Sequence, residues 1–194
     1  MKFAAPPKKR LKDTGPLDAD AWVQAALAVL AESGVDAVRI EPLAKQLAVT
    51  KGSFYWHFKD RSALLAATLA TWRAHATLDI IARLERDVAA PQDRLRELLA
   101  LPHKGSRAVR GADIEAAMRL WGRTDPRAAD VVRQIDEQRI EYITSLVVAT
   151  GRHPRREAAL ATLIYAFILA EAAIGPALDP AAGRQCEEIL LGSA

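Results

Sequence analysis

The residues best equipped for chemistry stand in one stretch, Thr50-Lys51-Gly52-Ser53-Phe54-Tyr55-Trp56-His57-Phe58-Lys59-Asp60-Arg61. Phe, Trp and Tyr make up only 6% of the chain, yet four of these rings and one imidazole fall between positions 54 and 58. Successive residues on a helix are about 100° apart. Phe54 and Phe58, four apart, therefore share a face that can anchor in a core. Gly52, Ser53, Tyr55 and Trp56 fan across the other side, where the missing side chain of Gly52 lets another backbone come close. Lys51, Lys59 and Arg61 ring that side with positive charge. Such a surface suits contact with an anionic partner.

Bond-breaking chemistry is not legible. The histidines, His57, His75, His103 and His153, lack metal-ligand spacing of the H-E-x-x-H kind. There is no glycine-rich phosphate loop and no Gly-x-Ser-x-Gly elbow. No catalytic residue, metal or cofactor is expected, and the chain reads as a non-enzyme. The single Cys186 excludes a disulfide framework and fits a reducing, cytoplasmic setting.

The elements around the stretch are built to hold it. Residues 41–47 read as a short helix with Leu43 and Leu47 on one face, and Pro42 sits in its first turn, where a missing N–H costs nothing. Ala48-Val49 forms a tight connection, Thr50 caps the ring-bearing helix, and Asp60 caps the next one. Helix, three-residue turn, helix is the helix-turn-helix layout, whose second helix enters the DNA major groove.

The run from Leu43 to Arg61, with Tyr55-Trp56-His57-Phe58 as its most specific part, resembles the recognition block of TetR-type (TetR/AcrR) transcriptional regulators. The resemblance implies nine or ten helices, a homodimer, a small-molecule pocket in the C-terminal body and repression relieved by ligand. It also implies phosphate contacts at Ser53, Tyr55, His57 and Arg61, and groove-facing positions at Lys51, Gly52 and Trp56. Two residues depart from the pattern. Ala48 stands where the turn often has Gly, which strains the backbone if φ is positive there. Arg39 stands where Ser or Thr often caps the first helix of the pair, so it leaves that cap to be provided otherwise or is itself a phosphate contact.

Charge placement agrees. The formal net charge is +3. Residues 1–61 hold ten Lys or Arg against seven Asp or Glu, and the rest of the chain is balanced at seventeen each. Lys2, Lys8, Lys9, Arg10 and Lys12 precede any acid. Residues 1–17, with Pro6-Pro7 and Gly15-Pro16, read as a disordered basic arm able to follow a phosphate backbone.

The remaining chain is helical throughout. Asp18 or Asp20 caps a helix to Ser33 carrying Trp22, Val23, Ala26, Leu27 and Leu30 on one stripe. A long helix follows over 61–87, another over 91–101, and then a basic loop over 102–110 with His103, Lys104, Arg107 and Arg110. Asp113 caps a helix through Trp121. Further helices cover 127–150, 154–174 and 180–191. The fold class is all-α, with about nine helices: a helix-turn-helix head over 18–62 and a larger ligand-binding and dimerisation body over 63–194.

The 154–174 helix is apolar nearly all round and must be covered on every side. Its small residues Ala158, Ala161, Ala166, Ala170 and Ala173 permit close approach, so it is expected to pair with 180–191 in a two-fold, four-helix homodimer interface rather than to span a membrane. Large rings and polar groups on otherwise apolar stripes, namely Trp72, His75, Met118, Trp121, Tyr142, Tyr165 and Glu171, are the candidate ligand-pocket residues. Glu171, an acid in an apolar helix, needs a partner: an Arg of the body, a Tyr hydroxyl or a cationic ligand. The reading that results is a homodimeric regulator of double-stranded DNA, a repressor released by a small-molecule effector. A helix-turn-helix regulator without a ligand and an all-α enzyme are the competing classes. A body without an accessible cavity would favour the first, a convergent acid–base or metal site the second.

Overall fold

Asp18 starts the first element: its carboxylate accepts a hydrogen bond from Ala21 N at 2.9 Å and caps helix α1 (Ala19–Ser33). The computed structural model describes residues 18–103, 110–151, 155–174 and 179–192, with the backbone alone over 106–109. The basic arm, Lys104, the Arg107 side chain, His153, Pro154 and Gly175-Pro176 lie outside the described residues.

The expected stripe of α1 is buried, and Gly34 ends the helix at φ +77°, a conformation that only glycine takes without cost. A 3₁₀ turn (Val35–Ala37) leads to α2 (Ile40–Gln46) and α3 (Lys51–Tyr55). Asp60 caps α4 (Arg61–Arg73) by accepting from Ala63 N at 2.8 Å. A π-turn (Ala74–Leu78) joins α4 to α5 (Asp79–Asp87), so 61–87 is the continuous rod that the sequence predicts, with one irregular turn inside it. Helix α6 (Pro91–Leu99), a 3₁₀ turn (Leu101–His103), α7 (Ser106–Gly122), α8 (Pro126–Ala149), α9 (Glu157–Ile174) and α10 (Pro180–Leu191) complete the chain. With α4, the π-turn and α5 counted as one rod, the described residues form nine helices and no strand.

Two expectations need correction. The basic loop over 102–110 is mostly the first part of α7, and Asp113 lies inside that helix rather than at its cap. Gly111 weakens a helix interior by about 1 kcal/mol, too little to stop one that packs on α1 and α8. Helix α9 starts at Glu157, not Pro154, after Arg155 turns left-handed at φ +73°.

The apolar residues form two cores. One joins Trp22, Leu30, Leu43 and Phe54 of the first three helices to Trp72, Met118, Trp121 and Ile135. The other gathers Leu84, Leu95, Leu99, Ile143, Val147 and Ile164 from α5, α6, the C-terminal half of α8 and α9. Packing thus runs uninterrupted across the expected head–body boundary at 62/63.

A polar cluster links helices of both cores. Arg139, near the middle of α8, donates to the Ala76 carbonyl and Thr77 Oγ1 of the π-turn, each at 3.1 Å, and to Glu115 of α7 at 3.0 and 3.1 Å. Tyr165 of α9 accepts from Arg139 and donates to Asp136 at 2.6 Å, and Arg119 grips the same Asp136 at 2.6 and 3.1 Å. A π-turn carries an extra residue that misaligns the i→i−4 ladder, and the guanidinium takes up a carbonyl there. Burial works against the charge on Arg139, but Glu115 and Tyr165 together outweigh it and the side chain stays cationic. Burial and the bond to Asp136 push the Tyr165 phenol up to about 12, against the opposing pull of Arg139, so it remains a donor at neutral pH.

Candidate nucleic-acid interface

Helix α3 is five residues long, and two aromatic anchors position it. Phe54 is fully buried, edge-on to Trp22 of α1 at 5.2 Å between ring centres, and Phe58 stacks against it at 5.5 Å. The helix ends at Tyr55, but Phe58 N still bonds the Phe54 carbonyl at 3.0 Å, which keeps the two Phe side chains on one face as their spacing requires. Thr50 Oγ1 accepts from Ser53 N at 3.4 Å, a long cap. Ala48 does adopt φ +56°, so the turn before α3 carries the strain that its departure from Gly implies. Arg39 makes no side-chain cap for α2; its Nε donates to the Asp36 carbonyl at 3.1 Å.

On the side away from Phe54, the surface is open. Trp56 is 88% exposed and Tyr55 53% exposed. Arg39, Lys51, Gly52, His57 and Lys59 are exposed, and Ser53 is half-buried. Nothing inside the chain requires glycine at 52: an added Cβ would make only an ordinary 3.6 Å contact with Thr50 Oγ1. The smallness of that residue is available to whatever docks on α3.

Lys51 is not a free cation. It forms a short ion pair with Glu41 across the α2–α3 turn, and the shared hydrogen bond holds the Glu41 carboxyl below its usual range and the Lys51 ammonium above it. Glu41→Gln should release Lys51 and remove a negative charge beside it. A several-fold gain in affinity for any DNA duplex is expected, fading as salt rises, in a fluorescence-anisotropy titration. Equal affinities for variant and wild type at low salt would refute this role.

Arg61 differs from the expected phosphate contact. It is half-buried, with Nε on the Val38 carbonyl at 2.6 Å and Nη2 on the Val35 carbonyl at 2.5 Å. The reason is tertiary: the first turn of α4 packs beside the α1–α2 connection, where the Val35 carbonyl, already accepting from Val38 N at 3.2 Å, has a second lone pair for the guanidinium.

The candidate pocket residues do not converge. Trp72, Met118 and Trp121 belong to the first core, and Tyr142 and Tyr165 to the second. Tyr142 donates to Glu85 at 2.8 Å. His75 faces solvent and pairs with Asp79 at 2.6 Å, because its position at the π-turn rotates it off the buried stripe. Glu171 is buried, and among the described residues its partner is His103 at 3.3 Å, none of the three foreseen, while its Oε1 has none there. Two grooves lie mostly apart from these residues. A groove of about 780 Å³ between α7 and α8 is lined by Arg119, Arg123, Val132, Asp136 and Ile140 among others, and a smaller one of about 430 Å³ by Leu69, Arg73, Leu78, Trp121 and Val131 among others. Of the seven candidates only Trp121 lines either. The cluster of Glu115, Arg119, Asp136 and Arg139 escaped sequence reasoning, although one signal was present: Arg139 falls on the apolar stripe of Val132, Ile135 and Leu146.

Comparison with known proteins agrees with this geometry. The family model for bacterial regulatory proteins, tetR family, matches residues 23–68. Over 65 residues the chain is 35% identical to the tetracycline repressor protein class A from transposon 1721 of Escherichia coli, a match covering 34% of this chain and 30% of that protein. The chain therefore spans less than a third of the length of that curated relative. The fold is shared more widely. A transcriptional regulator from Rhodococcus sp. Rha1 aligns with a TM-score of 0.72 over 91% of this chain and 95% of its own, at 23% identity. A protein from Saccharomonospora viridis, named as a transcriptional regulator and solved in complex with choline, aligns with a TM-score of 0.72 over 89% of this chain and 92% of its own, at 17% identity. The helix-turn-helix of this chain is thus similar in sequence to that of the tetR family of bacterial regulatory proteins, and its fold is held in common with solved structures along nearly the whole chain.

Proposed function

We propose that the protein is a DNA-binding transcriptional regulator, a homodimeric repressor of a palindromic operator that a small molecule releases. The observation that carries this reading is the α3 surface: Tyr55 and Trp56 stand exposed between cations while Phe54 and Phe58 lock the helix from behind. Aromatic and basic side chains on a rigid helix are suited to phosphates and base edges in a major groove. A regulator of this kind acts in the cytoplasm, where its DNA is.

The dimer is supported by α9. Its 18 residues have a mean hydropathy of 1.7, and only 22% of them are buried within the chain. Leu163 and Ile174 of α9 and Ile189 of α10 are all more than half exposed. That length and composition would also suit a membrane span, but α9 packs against α8 and carries the buried Glu171, which favours a second subunit. Ligand release is supported by the choline-bound neighbour of the same fold and by the α7–α8 groove. The scatter of the seven aromatic and polar candidates favours a second reading, a helix-turn-helix regulator without an effector. A small-molecule library that never shifts the melting temperature would select it.

The test is selection of duplexes from a random-sequence pool with the full chain. A two-fold symmetric motif is expected, with half-sites about one helical turn, roughly 34–36 Å, or a multiple apart. Trp56→Ala should change the preferred bases if the indole faces them, and lower all affinities alike if it lies on the backbone. A pool that returns no motif would overturn specific regulation.

A further inference from the structure

The first turn of α4 places two consecutive side chains in two different parts of the molecule. Arg61 reaches the α1–α2 connection, where its guanidinium holds the Val35 and Val38 carbonyls. Ser62 is held from the other direction: its Oγ accepts from Arg127 Nη1 of α8 at 2.8 Å. Arg127 is itself fixed by Asp125, whose carboxylate accepts from Nη2 at 3.0 Å and from the Arg127 backbone N at 2.8 Å while it caps α8. Helix α2 needs such a hold, because Arg39 provides no side-chain cap and the next residue toward α1, fully buried Val38, is the one Arg61 grips.

We infer that Arg61 is a positioning residue for the helix-turn-helix and not a phosphate contact, and that Ser62–Arg127 ties it to the body. The start of α8 then sets where α2 and α3 stand. Movement of the α7–α8 turn is carried to α2 through directional bonds. A Lys at 61 cannot replace Arg, since an ammonium is a point donor and the guanidinium spans two acceptors in a fixed plane. This inference rests on the DNA-binding reading.

The experiment measures affinity of the full chain against salt, on the duplex recovered by selection and on an unrelated duplex, for wild type, Arg61→Gln, Arg61→Lys, Lys59→Gln and Ser62→Ala. Lys59→Gln removes an exposed cation and serves as the phosphate-contact reference, losing about 0.9 from the salt slope on both duplexes. Arg61→Gln is expected to lose about tenfold or more on the selected duplex alone, with the slope unchanged and with no rescue by Arg61→Lys. Ser62→Ala removes only the body-side tie, and should lower the ratio of selected to unrelated binding while the melting temperature holds. It decides the matter if the Arg61 variants do not fold. Equal losses on both duplexes with a reduced slope and rescue by Lys would overturn the positioning role, as would an unchanged ratio in Ser62→Ala. Wild type that distinguishes no duplex would instead remove the DNA-binding reading, and this inference with it.

Discussion

Arg139→Met is expected to destabilise the folded chain by about 3 kcal/mol, a drop of about 10 °C in melting temperature for a chain of this size. The substitution keeps the volume and removes the charge. Glu115, 14% exposed, loses one of its two arginines, and the Ala76 carbonyl and Thr77 hydroxyl of the π-turn lose their donor. Breaking one side of a buried ion pair costs far more than replacing both. Arg139→Met with Glu115→Met should therefore recover most of the loss, and a double variant no more stable than the single would show that the cost lay in packing alone. The same cluster sets the acid limit. Burial opposes the charge on Asp136, but the bonds from Arg119 and Tyr165 outweigh it and hold its carboxyl below the usual range. A depressed folded pKa means that this contribution is complete above the unfolded value near about 4 and is lost as the pH falls further. Urea midpoints of wild type should drop in that window, and Asp136→Asn should flatten the drop.

Leu163→Arg is expected to leave each subunit folded and to abolish the dimer. Leu163 is 59% exposed on α9, so the single chain loses little by the change. Across a two-fold interface the same position occurs twice, and the variant would bring two unpaired cations into an apolar contact. Sedimentation at micromolar concentration should show a dimer for wild type and a monomer for the variant. Operator affinity should fall by about 100-fold or more, because the second head no longer binds at high effective concentration. A wild type that sediments as a monomer would end the dimer proposal. Wild type that partitions onto phospholipid vesicles would reassign the α9 face to membrane.

What could be read from the sequence was local. The caps at Thr50 and Asp60, the choice of Asp18 or Asp20 for the first cap and the Phe54–Phe58 face each depend on residues within a few positions, so spacing and side-chain type were enough to predict them, whereas the positive φ of Ala48 entered only as a condition of the family resemblance. The strongly periodic rod over 61–87 followed from its stripe for the same reason. Weak stop signals misled: near Asp113 a charged and glycine-containing stretch reads as a loop, and packing on α1 and α8 carries the helix through it.

What the tertiary structure decided involves partners far apart in the chain. Arg139 finds Thr77 sixty-two residues away, Arg119 finds Tyr165 forty-six away, and Arg61 spends its donors on carbonyls twenty-three and twenty-six residues back. A side chain's role depends on which acceptors lie within about 3 Å, and no period in the sequence encodes that distance. The family resemblance made Arg61 a candidate phosphate contact, and residue type made the scattered rings a candidate pocket. The packing of α4 against the α1–α2 connection, and the division of the apolar residues between two cores, gave them other positions.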